Sequence, residues 1–336
     1  MDKKILIGVA AAAAIAAIVI FFILQTKEEV TGKVTLYTSV PLDIVEGVVQ
    51  EFEKEYPGIE IEIVRATTGS IMDRVYQEAE NGTDNADIIW VADFSNDAEE
   101  LKENGMLQKY VSPESKNIIP IFVDNDGYYT GSRLLNMVVA YNTLFVEEKP
   151  RNYRDLLNPK WAGKCGIVNY TSGASFYTTG TLIQNDDFGW GYFTKLSENQ
   201  CKVVNSNPSM TDKIADGELY IGVTIDFTVR NLLKDSPDAE IDYIFPEDGV
   251  VSIASPIAIS RDCKDVRASR IFIDWVLSKK GQEFMSKEMG VSPVRMDVDV
   301  PEGMAPLSQL KIIPSDARTI YKNEENITGK FKDIFS

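Results

Sequence analysis

The chain predicts a two-lobed α/β protein, each lobe a mostly parallel sheet flanked by helices, with two crossing strands as the hinge between lobes. Three observations predict it. Short apolar strands alternate with amphipathic helical stretches, and near-continuous apolar strands belong to parallel sheets covered on both faces. The β-α-β-α order runs, stops, and then starts again. About 300 residues follow the N-terminal segment, more than one hydrophobic core usually fills.

The elements follow in order. Residues 5–24 are an unbroken apolar run behind Lys3 and Lys4, and a helix of roughly 20 residues is what a hydrocarbon core needs. The lysines stay cytoplasmic by the positive-inside rule, which sends the bulk of the chain outward. A signal peptide shares the charged start and apolar centre, but Gln25-Thr-Lys-Glu-Glu offers no small-x-small cleavage site. Residues 1–27 are therefore expected to be a membrane anchor or an uncleaved signal, and 28–33 a linker. Strand 34–38 leads to helix 42–56, which Pro57-Gly58 ends. Residues 59–64 alternate as a strand, 70–80 are helical, and 86–92 form an apolar strand.

The pattern restarts at 128–141, a strand-rich stretch. Strand 165–169, a helix from Ala174, strand 201–205, a helix over 210–216 and strand 219–225 follow. Residues 251–260 are extended, and 266–289 read as one helix with Ile271, Phe272, Trp275, Val276 and Phe284 on its apolar face. The two long extended runs are the natural crossings between lobes. Residues 34–131 and 255–336 then make the first lobe, and 132–254 an inserted second lobe. The cleft is expected at the carboxyl ends of both sheets, where α/β folds bind ligands.

Composition narrows the chemistry. A net charge of −17 and a pI near 4.6 argue against nucleic acid and anionic lipid surfaces as partners. Histidine is absent, which removes the usual general base and the commonest metal ligand together. No CxxC, HExxH or GxxxxGK[ST] motif occurs. Cys165 and Cys201 each open a strand-like run, so they are either a disulfide across neighbouring strands or two small buried hydrophobes. Cys263 reads as a surface turn. All three cysteines are far from the N-terminus, which excludes a lipid-bearing cysteine there.

The candidate binding residues sit in short turns after the strands: Thr38 and Ser39; Thr68, Gly69 and Ser70; Thr171, Ser172, Gly173 and Ala174. Each turn precedes a helix, whose free amides and positive dipole end favour an anion. Plain helix capping is the competing role. Asp93 and Asp226 follow strands and are placed to hold an amine or hydroxyl, or to cap helices. Arg133 lies where the chain first crosses between lobes and is placed to pair with an anionic ligand or with a carboxylate across the lobes. Phe227 is a candidate for the pocket wall.

Four segments carry a family resemblance: Asp155-Leu-Leu-Asn-Pro-Lys-Trp-Ala-Gly-Lys, Pro246-Glu-Asp-Gly-Val, Phe272-Ile-Asp-Trp-Val-Leu-Ser-Lys-Lys-Gly-Gln and Ser292-Pro-Val-Arg. With them the chain resembles the substrate-binding proteins of ABC importers, in the subgroup of ferric-ion, phosphorylated-sugar, phosphonate and thiamine binders. The resemblance implies the hinged type 2 periplasmic-binding-protein fold, no catalysis, no cofactor, a permease partner, and a monomer on the extracytoplasmic face of the cell membrane. Ferric members carry adjacent tyrosines where Phe227-Thr228 stands here, and a histidine near Pro41. By contrast, Ser172-Gly173-Ala174 matches the turn with which those members hold an anion, and Asn207 falls where they place an anion-contacting asparagine. The expected ligand is a small phosphorylated or phosphonate-bearing solute, without a metal, its polar end held by Asp93 or Asp226. A ferric-ion or thiamine binder is the alternative within the subgroup, and a sensor module or a histidine-free hydrolase the alternative outside it.

Overall fold

The computed structural model describes residues 30–83, 85–91, 95–170, 173–305 and 309–336. The expected anchor, 5–24, lies outside them, and no helix among the described residues is long and apolar enough to cross a membrane. Strand β1 (Gly32–Thr38) leads to α1 (Leu42–Glu55), β2 (Ile59–Arg65), α2 (Thr68–Glu80), β3 (Ile88–Trp90), α3 (Ser95–Glu103) and β4 (Leu107–Gln108). The period-two alternation of β1 serves two cores. Val34 and Leu36 pack with Ile44, Val48 and Phe52 of α1 on one face, and Tyr37 packs with Ile71 and Val75 of α2 on the other.

β5 (Tyr129–Asn142) crosses to the second lobe, which holds β6 (Cys165–Val168), α4 (Gly173–Gln184), α5 (Gly189–Glu198), β7 (Lys202–Val204), α6 (Asn207–Ala215), β8 (Ile221–Ile225), α7 (Asp226–Asp235) and β9 (Ile241–Ile244). β10 (Ser252–Ser260) returns, followed by α8 (Val266–Leu277), α9 (Lys279–Met289), α10 (Ala317–Lys322) and α11 (Glu324–Phe335). The strands run β2-β1-β3-β10-β5-β8-β6-β7, with β4 on β10 and β9 on β5. β5 pairs with β10 over its first half and with β8 and β9 over its second.

Three expectations change. The sheet is mixed rather than mostly parallel: β1-β2, β1-β3, β6-β7 and β6-β8 are parallel, but an outgoing and a returning strand must oppose each other, so β10 and β5 are antiparallel to their neighbours. The helix expected over 266–289 is two, because the Ser278 hydroxyl accepts from Gly281 N and starts a new helix. A Cβ on Gly281 would stand 2.2 Å from the Trp275 carbonyl, so only glycine permits the joint. Finally, the end of the chain packs on both lobes: Arg318 and Lys322 of α10 pair with Glu103 of α3 at 2.7 and 3.8 Å, while the rest turns to the second lobe. Ile313 and Phe331 join the second lobe's core, Ile320 and Ile327 pack with Phe176 of α4, and Ser197 donates to the Ile334 carbonyl at 2.7 Å.

Parallel register pairs Gly166 with Lys202, which sets Cys165 beside Cys201. No disulfide joins them: both are free and buried. The Cys201 thiol hydrogen-bonds to Cys165 and draws its pKa down, while burial pushes that of Cys201 up.

Candidate functional site

A cleft of about 620 Å³ opens at the carboxyl ends of β1, β2, β7 and β8. The first lobe lines it with Ser39, Pro41 and Arg65. The crossing strand β5 adds Arg133 and Leu135, and the second lobe adds Ser206, Asn207, Thr211 and Asp212 around α6 and Phe227, Thr228, Asn231 and Asp235 from α7.

Arg133 is its most unusual member. It sits opposite Ser255, where Pro256 has no amide to give the ladder and the β5-β10 register shifts. The residue is 2% exposed, its Nε has no partner, and among the described residues it makes no ion pair. Burial lowers its pKa to about 10, against the pull of the carboxylates of Asp226 and Asp43. A buried guanidinium without a partner is costly to the empty protein and is a ready site for an anion.

Asp226 was expected to hold a polar group of the ligand, and the structure places it elsewhere. It is fully buried, accepts from Asn136 N at 3.2 Å, from Asn136 Nδ2 and Ser292 Oγ at 3.3 Å, and pairs with Arg230 at 3.3 Å. Ser252 Oγ closes this network on Asn136 Oδ1 at 2.7 Å, and Arg230 Nη2 reaches the Gly290 carbonyl at 3.0 Å. The network ties both crossing strands to α7 and to residues 290–292, and its carboxylate is used up there.

In the first lobe's hydroxyl turns Thr67 caps α2, and the other hydroxyls bond within or between the turns. Thr38 Oγ1 accepts from Val40 N at 3.1 Å, Thr67 accepts from Ser70 N at 3.3 Å and its hydroxyl meets Ser70 Oγ at 2.9 Å, and Ser39 shares a 2.8 Å bond with Thr68 Oγ1. Gly69 has open space where a Cβ would stand, so its position does not require glycine. Of these residues only Ser39 lines the cleft. In the second lobe Gly173 and Ala174 begin α4 and do not line this cleft, while Asn207 and Phe227 do. Thr171, Ser172 and Asp93 lie outside the described residues.

Several lining residues escaped the sequence reading. Arg65 ends β2 beside Thr38; a charged residue closing a strand just before a hydroxyl turn was the available signal. Thr211 and Thr228 share a 2.8 Å bond, and Thr228 donates to the Ile225 carbonyl at 2.7 Å. Mid-helix threonines carry no such signal. Among the described residues no cluster of three His, Cys, Asp or Glu side chains is placed to hold a metal.

Two lobes flank the cleft, bridged by the paired crossing strands β5 and β10, with Arg133, which makes no ion pair among the described residues, between them. The bacterial extracellular solute-binding protein family matches residues 47–309, and the chain belongs to it. By that family it is a solute-binding protein. The chain is 24% identical over 269 residues, 76% of both chains, to an uncharacterized protein of Haemophilus influenzae. It is 25% identical over 194 residues to the phosphoglycerate transport regulatory protein PgtC of Salmonella typhimurium, 56% of this chain and 47% of that one. Iron-bound HitA from Pseudomonas aeruginosa superposes with a TM-score of 0.78 at 18% identity, covering 90% of this chain and 99% of the other. AfuA from Actinobacillus pleuropneumoniae, with fructose-6-phosphate bound, gives 0.76 at 20%, covering 91% and 99%. Each structural likeness speaks for the periplasmic-binding-protein fold.

Proposed function

We propose that this protein closes its two lobes on a small anionic solute, phosphorylated or phosphonate-bearing, and delivers it to a membrane permease. The observation that carries the reading is Arg133, a guanidinium 2% exposed, without an ion pair among the described residues, in the wall of the cleft. An anion that pairs with it recovers the cost of burying it, and recovers most when water is shut out. Ligand contacts completed only on closure drive closure. The pivot lies where β5 changes partner from β10 to β8, near Asn136 and Ser252. Residues 34–131 and 255–312 move as the first lobe and 132–254 as the second, with 313–335 packed against both.

The names of the similar proteins span iron, a sugar phosphate and phosphoglycerate transport. Iron fits this cleft poorly. Hard ferric ion wants anionic oxygen donors, and Phe227, Thr228 and Pro41 occupy the positions that would supply phenolates and an imidazole. Residues 5–24 anchor the monomeric module to the outer face of the membrane, with the short linker keeping it near the permease. Thermal shift against phosphate esters, phosphonates, ferric citrate and thiamine tests the ligand class. Stabilisation by phosphate esters or phosphonates is expected, and stabilisation by ferric citrate or thiamine alone would overturn it.

A further inference from the structure

Arg133 has company in the cleft wall. Arg65, at the carboxyl end of β2 on the first lobe, lines the same cleft and is exposed, and its side chain makes no hydrogen bond or ion pair among the described residues. We infer that Arg65 is a second anion-binding residue, which selects solutes whose terminal phosphoryl or phosphonyl group is doubly charged over singly charged anions. This rests on the anion reading above and adds to it the charge state and the residue that reads it.

A phosphate monoester carries between about 1.5 and 2 negative charges at pH 7. Arg133 neutralises one of them, and closing the cleft over the remainder without a partner is unfavourable. A guanidinium supplies donors in a planar fork that matches phosphoryl oxygens. Among the described residues lining the cleft, Arg65 is the remaining cation. It is on the first lobe, so its contact with a solute seated at Arg133 forms as the lobes approach. A sulfate ester or phosphodiester is singly charged; Arg133 satisfies it and leaves Arg65 idle. The competing use of Arg65 is an ion pair across the cleft mouth with Asp212 or Asp235, the second-lobe carboxylates in the same wall. Such a latch would aid closure over any ligand and would not discriminate by charge.

Methyl phosphate and methyl sulfate are nearly equal in size and differ by one charge above pH 7, so titration calorimetry of both at pH 8 separates these uses. The wild-type protein is expected to bind methyl phosphate roughly tenfold or more tighter than methyl sulfate. In Arg65→Gln the two should bind within about threefold of each other, and Arg65→Lys should keep part of the preference. Arg133→Gln should lose both. Equal wild-type affinities, or an Arg65→Gln loss of the same factor for both esters, overturns the inference and leaves the anion reading standing. If neither ester binds the wild-type protein, the anion reading falls, and this inference with it.

Discussion

Both lobes end their strands in polar turns whose hydroxyls find partners nearby, and the pivot between them differs. In the first lobe Thr38, Thr67, Ser70 and the Ser39-Thr68 pair bond to the local backbone or to one another. In the second lobe Ser206 caps α6, and Thr211, Thr224 and Thr228 bond to one another. At the pivot, the cleft is walled by Arg133, whose Nε has no partner and which makes no ion pair among the described residues. Satisfied hydroxyls hold helix starts in place, whereas an unsatisfied charge stores the free energy that a ligand releases. Residues of similar appearance in sequence thus divide into scaffold and site by whether a partner is already at hand.

Breaking the pivot should have the largest effect. Asp226→Ala strips Arg230 of its counter-ion and Asn136 and Ser292 of their acceptor; a loss of about 3–5 kcal/mol in chemical denaturation is expected. Arg133→Gln should weaken anion binding by a factor of about 100 in calorimetry, and the empty variant should be about 1–3 kcal/mol more stable than wild type. A less stable empty variant would mean that Arg133 is a structural pair, and the contrast between the turns and the pivot would fail.

The same residue gives a pH signature. Arginine's folded pKa here, about 10, is below its ordinary value, so the folded state releases this proton first. The cost of burying the charge is complete below pH 10 and fades as pH rises from there towards the unfolded value. The stability gap between Arg133→Gln and wild type should therefore be full at pH 8 and narrower at pH 11, measured by denaturant unfolding at each pH. The smallest effects belong to the first-lobe turns. Thr67→Ala should cost about 1 kcal/mol of stability, while anion affinity changes less than about threefold. A larger binding loss there than at Asn207→Ala would reverse the comparison.

Much of the fold was legible because period and punctuation are local. The alternation of 59–64, the Pro57-Gly58 break and the long apolar runs that became β5 and β10 each follow from short-range chemistry. The lobe that Ile327 and Phe331 join was not legible, since an amphipathic face does not name what covers it. Nor was the joint at Ser278, where one hydroxyl outweighs an apolar period that continues through it. The site was read less fully. Asn207, Phe227, Ser39 and Arg133 line the cleft, but Asp226 follows a strand in the same way and is consumed by Asn136, Ser292 and Arg230, partners distant in sequence. Arg65 is not among the candidates that the sequence offers, since one charge closing a strand does not mark a cleft. Cys165 and Cys201 were placed side by side from their strand starts, a neighbourhood that register determines and that does not by itself make a bond.

Closure over an anion at Arg133 is most directly tested by small-angle scattering of the soluble module with and without a saturating phosphate ester that stabilises it thermally. The radius of gyration should fall in the wild-type protein and stay unchanged in Arg133→Gln. Compaction of that variant equal to wild type, or compaction of the wild-type protein by ferric citrate alone, would contradict the account.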